Sequence, residues 1–429
     1  MAGSREGFPG APCMNMDQIE NPGNPGGFSR NVFVAFLLWF GSYAYLYVFY
    51  EGGPKPLYSY YALLAFTLGS WVYTASHSNR EVSGGGSPAT SPLLAWIGLF
   101  LAYGALEFLN SPQDFASREA FIILGEACLL TTSFFLFMRD KKTLRKAMAA
   151  FAFLALLGVA LNIYDFLIPT FSNVPGRAAG LYVNPNIAGS FIAMAMVAGL
   201  SVIPSRMRIP FVLSCGLGVV VTFSRESWII WGLAVFLLGW RGDLGSKRRR
   251  LLLASLAALI GLGFVVALFM GTLEPLVAHS PVMHYLDANT LARLGIGASS
   301  ISGDAARVRE EAISVSLRAF SRAPWIGHGI GYNSQWRYIA TLGGTANMYL
   351  LFMVDGGILG LALFLALIFL LWSSSQGLGK VVAIQFLVES LFTNNLLEQP
   401  AFLAMLAFIF SYGLAVRRVP GERSAESFE

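Results

Sequence analysis

The sequence predicts an all-α, polytopic membrane protein, and three observations carry that prediction. Of its 429 residues, 55% are hydrophobic and only 12% charged, against roughly 25% charged in a soluble chain. Apolar runs of about 17 to 25 residues recur along the chain, each long enough to cross a bilayer as a helix. The basic residues gather in short clusters between these runs, as an orientation signal does. The runs do not alternate in polarity, which excludes a transmembrane barrel. The net charge of +5 is accounted for by orientation, so no nucleic-acid partner is implied.

Residues 1–30 are rich in Gly, Pro and Asn and lack an apolar h-region, so they read as a disordered cytoplasmic tail and not a signal peptide. Spans are predicted over 31–50, 58–75, 92–109, 119–138, 147–169, 187–203, 209–222, 226–240 and 251–271. Three more cover 346–372, 380–395 and 401–416, about 12 transmembrane helices in all. Helices 1–9 thus occupy 31–271 and helices 10–12 occupy 346–416. The long loop subdomain is 272–345, and 417–429 is a second cytoplasmic tail. Within the loop, 304–324 has helical periodicity with Ile313, Leu317 and Phe320 along one stripe. That stripe predicts an ordered external subdomain lying on the membrane.

Sidedness follows from lysine and arginine. The stretch "RDKKTLRK" (139–146) holds five basic residues and "RGDLGSKRRR" (241–250) holds five more. With Arg206/Arg208 and Arg417/Arg418 they fall on the cytoplasmic side, and so do both termini. Arg206/Arg208 and the 241–250 cluster are both inside, so the chain between them crosses twice, with Arg225 at the tip of the outward turn. Segments 170–186 and 272–345 lie outside.

Arg177, Arg225 and the Arg307/Arg309 pair therefore share the outer face. A guanidinium keeps its charge and offers forked donors that match phosphate oxygens, which suits a site holding a pyrophosphate at a membrane surface. Asn184-Pro185-Asn186 opens the next helix, whose first N–H groups and dipole also favour an anion. Taken singly, each such arginine is more often a snorkelling anchor or a solvated charge. Acids within or beside spans (Glu107, Glu126, Asp165, Asp355, Glu389, Glu398) are functional candidates by their setting, with Glu126 and Glu389 the deepest. The three cysteines and four histidines show no disulfide framework and no metal-ligand spacing. No metal and no cofactor are expected. Trp325, Tyr332, Trp336 and Tyr338 in the loop suit either sugar stacking or an interfacial belt.

Four stretches in order resemble the O-antigen ligase / Wzy-type polymerase superfamily of bacterial polysaccharide assembly. They are "GRAAGLYVNPNIAG", "VTFSRESWIIWGL", "RVREEAISVSLRAFSRAPWIGHGIG" and "ANMYLLFMVDGGILGL", which together fall within residues 175–361. The resemblance implies a GT-C-like, all-helical membrane glycosyltransferase with the long loop over a cavity open to the periplasm and the lipid. It implies a bacterial inner-membrane location, a donor glycan carried on undecaprenyl pyrophosphate, and inverting, metal-independent transfer. Arg177 would bind the pyrophosphate, with Arg225 and Arg309 or Arg307 as the other catalytic arginines. On a helix Arg307 and Arg309 point about 200° apart, so one of them faces the cavity. Asn184, Asn186, Asn347, Tyr349 and His328 would bind substrate. In ligases the residue before Asn347 is commonly histidine, and here it is Ala346. That departure favours a polymerase, acting on a second lipid-linked repeat with or without a chain-length regulator, over a ligase acting on lipid A–core or a protein. A lipid-linked glycan transporter is the reading from another class; it predicts internal repeats, and the sequence shows none.

Overall fold

Short polar residues and prolines set where the helices begin. The computed structural model describes residues 27–78, 91–174, 176–244, 300–335 and 344–417. The predicted span at 251–271, residues 1–26 and 418–429 of the two expected tails, and the loop stretches 272–299 and 336–343 fall outside the described residues; residues 27–30, expected in the disordered tail, instead open a helix. Every regular element among those described is helical: α1 (Gly27–Gly41), α2 (Ala44–Tyr50), α3 (Pro56–Ser78), α4 (Pro92–Asn110), α5 (Phe115–Met138), α6 (Lys141–Leu167), α7 (Pro185–Gly199), α8 (Arg208–Val220), α9 (Arg225–Arg241), α10 (Ser300–Arg322), α11 (Tyr332–Gln335), α12 (Met348–Ser374), α13 (Gly377–Glu389) and α14 (Pro400–Arg417). Asp114, Asp140, Asn184, Ser224 and Asn347 each cap a helix by accepting from a backbone N–H in its first turn. Pro92 and Pro185 open α4 and α7, at positions where an N–H has no helical partner.

Six of these helices are long and apolar enough to cross a bilayer: α4, α5, α6, α12, α14, and α7 with the turn that extends it to Val202. The α1–α2 pair makes up to seven if it counts as one span. The stretch expected as one straight helix over 31–50 is instead bent by 62°. The bend lies at Ser42–Tyr43, where Tyr43 takes φ 61° and its hydroxyl donates to Gln399 Oε1. The elements within 209–222, 226–240 and 380–395 are helical but shorter than about 20 residues.

The bundle is organised around α7. All of its residues except Asn186 are buried, and α6, α8, α9, α13 and α14 surround it. At Gly189 an added Cβ would come 2.6 Å from Ser227 Oγ. The missing side chain lets α9 approach closely, as small residues do between membrane helices.

The loop helix α10 buries Ala312, Val315, Ser316 and Ala319, and packs on α12. The predicted stripe is not this buried face: Ile313 and Leu317 are exposed. Beyond α10 the chain runs into a break in α12 at Gly357 (φ 62°, ψ −152°). The freed carbonyls of Val354 and Asp355 accept from the N–H groups of His328 (3.0 Å) and Gly329 (2.9 Å). The freed N–H groups of Ile358 and Leu359 donate to the carbonyls of Pro324 (2.8 Å) and Trp325 (3.3 Å). Asp355 adds side-chain acceptance from the N–H groups of Gly331 and Asn333, 3.2 Å each. The interrupted backbone is therefore satisfied by another segment of the protein, as a helix break in a membrane protein requires.

Candidate functional site

The loop between α6 and α7 carries Arg177 and is held from beneath by one carboxylate. Asp165, 2% exposed, accepts from the N–H groups of Thr170 and Phe171 on one oxygen, 2.8 Å each. Its other oxygen accepts from Ala179 (2.8 Å) and Gly180 (3.2 Å). The loop is pinned on its far side by the Tyr182 hydroxyl, which donates to the Gly41 carbonyl at 2.8 Å. So fixed, it lies along the turn between α8 and α9: Ala178 N–H donates to Val221 O at 3.2 Å, and Arg177 Nε donates to Thr222 O at 2.8 Å. A terminal nitrogen of Arg177 donates to Asn186 Oδ1 at 2.6 Å. Arg177 is 4% exposed, so its charge sits in a dry setting where it is felt strongly.

Arg225 is the first residue of α9, three residues beyond the carbonyl that Arg177 grips. It is exposed, and its charge interacts with that of Arg309 on α10. Arg309 reaches Glu226 Oε2 at 3.7 Å; its own side chain is 57% exposed and that of Glu226 only 5%. Arg307 is exposed two residues earlier. Of the two alternatives, the geometry brings Arg309 to the other arginines.

A hydrogen-bonded path runs from Glu389 to the first turn of α9, where Glu226 sits. Glu389, at the end of α13, is 1% exposed, and its charge interacts with that of Glu226. Ser190 Oγ donates to Glu389 Oε2 at 2.9 Å and lies 3.1 Å from Ser227 Oγ. Ser227 Oγ is in turn 2.9 Å from Ser224 Oγ and 3.2 Å from the Asn186 carbonyl. On the other side of Glu389, Met348 N–H donates to Ser390 O at 3.1 Å and Ser390 Oγ to Tyr349 Oη at 3.4 Å.

The structure thus joins Arg177 to Asn186 and to the turn before α9, and brings Arg309 to Glu226 beside Arg225; Asn347 and Tyr349 lie next to Ser390 at the end of α13. Asn184 and Asn347 place a side-chain oxygen on the backbone of their own helices, accepting from Asn186 N and Leu350 N. His328 stands apart. Its ring stacks on Tyr332 at 4.1 Å and Nε2 lies 2.9 Å from Ala319 O, ten residues or about 15 Å along α10 from Arg309. Glu226 did not emerge from the sequence; the only signal there was an acid directly after a helix-opening arginine. Asp165 did emerge, as an intramembrane acid, and its work is to hold the Arg177 loop.

The fold defines a multi-span helical membrane protein, with arginines from three segments near buried carboxylates. Residues 209–365 match the family model described as O-antigen ligase, and over this stretch the chain is similar to the O-antigen ligase / Wzy superfamily, a likeness that supports a membrane glycosyltransferase-like enzyme. The matched stretch includes Arg225, Glu226, Arg307, Arg309, His328, Asn347 and Tyr349; Arg177, Asn184 and Asn186 precede it. No curated protein matches the chain.

Proposed function

We propose that this protein is a bacterial polysaccharide polymerase of the inner membrane. It transfers a glycan from undecaprenyl pyrophosphate to the sugar end of a second lipid-linked repeat at the periplasmic face. The observation that carries the reading is the meeting of Arg225 and Arg309 at the opening of α9, with Arg177 braced against the same turn. Two half-open guanidiniums suit the oxygens of a pyrophosphate. They act most where charge grows, on the departing group, and a partly dry site strengthens that effect. Arg177 adds fixed positive potential beneath them and holds the turn that presents Arg225. Asn186 orients Arg177, while Asn184 and Asn347 shape the rim through the helix starts they cap. His328 and Arg307 serve the outer approach of the glycan. The transfer is a single displacement with inversion at the anomeric carbon and uses no metal or cofactor.

A ligase acting on lipid A–core is the second reading, favoured by the description of the matching family as O-antigen ligase. Reconstitution of the purified protein with lipid-linked repeat units alone, with products sized on a gel, separates the two. A ladder of lengthening lipid-linked glycans is the expected result. Transfer that appears only when lipid A–core is added makes the protein a ligase. No transfer under either condition refutes the glycosyltransferase reading.

A further inference from the structure

Glycosyl transfer to a hydroxyl leaves one proton to be removed, and no arginine at the site can take it. Position 346 is alanine, and the Asn347 amide caps its helix. The His328 ring is held on the Ala319 carbonyl, away from the arginines. Asp165 is committed to four backbone N–H groups, and Asp355 to two in the α12 break.

Two carboxylates are tied to the arginines, Glu226 by its contact with Arg309 and Glu389 by its interaction with Glu226, and they are placed differently. Glu389 is interior and accepts from Ser190. Glu226 lies in front of it in the first turn of α9, with Oε2 turned toward Arg309, whose side chain is more than half exposed. Glu226 is therefore the carboxylate that borders both the arginine pair and the opening.

We propose that Glu226 is the general base that deprotonates the acceptor hydroxyl, with Glu389, Ser190 and Ser227 as the positioning group behind it. The inference rests on the glycosyltransferase reading. The acceptor oxygen forms its bond to the anomeric carbon as the bond from that carbon to the pyrophosphate oxygen breaks. The electron pair of the broken bond leaves on the pyrophosphate, held by Arg225 and Arg309. The hydroxyl proton passes to a Glu226 oxygen and from there to water once the products depart. The contact of Glu226 Oε2 with Arg309 at 3.7 Å ties the base to the arginine pair. Before substrate arrives, the same contact supplies Arg309 with a counter-charge.

The test uses full-length protein in lipid nanodiscs, with an undecaprenyl-pyrophosphate-linked repeat as donor, and measures donor binding and transfer separately. Glu226→Gln is expected to bind donor within about threefold of wild type and to lose transfer by about 10²- to 10⁴-fold, the range general bases contribute. Glu226→Ala supplied with sodium azide is expected to release undecaprenyl pyrophosphate and form a glycosyl azide, because azide is a nucleophile with no proton to lose. A side chain that only holds the arginines gives no such rescue. Glu226→Asp keeps the charge but draws it back by about one bond length, and transfer is expected to fall at least tenfold at unchanged donor binding. This variant carries the test if the glutamine form does not fold.

Wild-type transfer rates in Glu226→Gln, or in Glu226→Asp, overturn the assignment. Loss of donor binding in step with transfer, and no azide product from Glu226→Ala, also overturn it and make Glu226 a support for the arginines. A wild-type protein that transfers to no acceptor refutes the underlying function instead, and is seen before any variant is compared.

Discussion

Replacing Asp165 with asparagine turns one of its two oxygens into an NH2 group, and each oxygen accepts two backbone N–H bonds in the loop that carries Arg177. Whichever way the amide turns, two N–H groups lose their acceptor and face another donor. Hydrogen bonds to a charged group contribute about 1.5–3 kcal/mol each, so losing two costs about 3–6 kcal/mol. The two that remain weaken as well, since their acceptor is now neutral. The nearest relief is for the 168–180 segment to leave the bundle, and about 3 kcal/mol raises the population of that displaced state roughly 100-fold. Hydrogen exchange by mass spectrometry reads this directly. Amides of Thr170, Phe171, Ala179 and Gly180 are expected to exchange about 100-fold faster in Asp165→Asn, with amides of α7 and α14 unchanged. Transfer is expected to fall with them, because Arg177 rides on the same loop. Unchanged exchange at these four amides would refute the reasoning, whatever the activity shows.

Other substitutions test the rest of the site. Arg309→Ala is expected to lower transfer at least tenfold in the reconstituted assay, and Arg307→Ala less than threefold, since only Arg309 meets Glu226; equal losses would remove that distinction. Arg177→Ala is expected to abolish transfer while leaving a folded membrane protein, and Arg177→Lys to rescue it poorly, because an ammonium cannot reproduce the forked contacts to Thr222 O and Asn186 Oδ1. Normal product from either variant would take Arg177 out of the site. Gly357→Ala puts a Cβ 2.6 Å from the Trp325 carbonyl at a positive φ, and strain of about 1–3 kcal/mol from the backbone alone is expected to lower the melting temperature in detergent. Tyr349→Phe removes only a 3.4 Å contact from Ser390, and transfer is expected to stay within about threefold of wild type.

The positions of six spans were legible, because a membrane helix is written in length and polarity; the full count of twelve was not reached among the described residues. The predicted 92–109, 119–138 and 401–416 became Pro92–Asn110, Phe115–Met138 and Pro400–Arg417. The breaks were not legible. Hydropathy averages over Ser42–Tyr43 and over Gly356–Gly357, while the bends depend on Gln399 and on residues 324–329, which are distant in sequence. The same limit applied to the site. Arginines at span ends stand out against lipid, so Arg177, Arg225 and the Arg307/Arg309 pair were visible. Their partners are set by packing, and neither the Arg309–Glu226 contact nor the Ser190–Glu389 bond has a local signature. The two asparagines before helices were read for their chemistry toward a ligand, and in the fold their side chains first complete their own helices.

The join between the 324–329 segment and α12 bears on how the chain is made. Residues 324–329 are synthesised before Val354–Leu359, yet each set completes the backbone bonding of the other. An α12 segment that enters lipid alone carries two carbonyls and two N–H groups with nothing to bond, each costing several kcal/mol in hydrocarbon. Residues 324–329 therefore act as a template made before its partner, and α12 completes its backbone bonding by closing onto them. Lengthening the chain between residues 335 and 344 is therefore a change to the order of assembly, since it delays the return of α12 to residues 324–329.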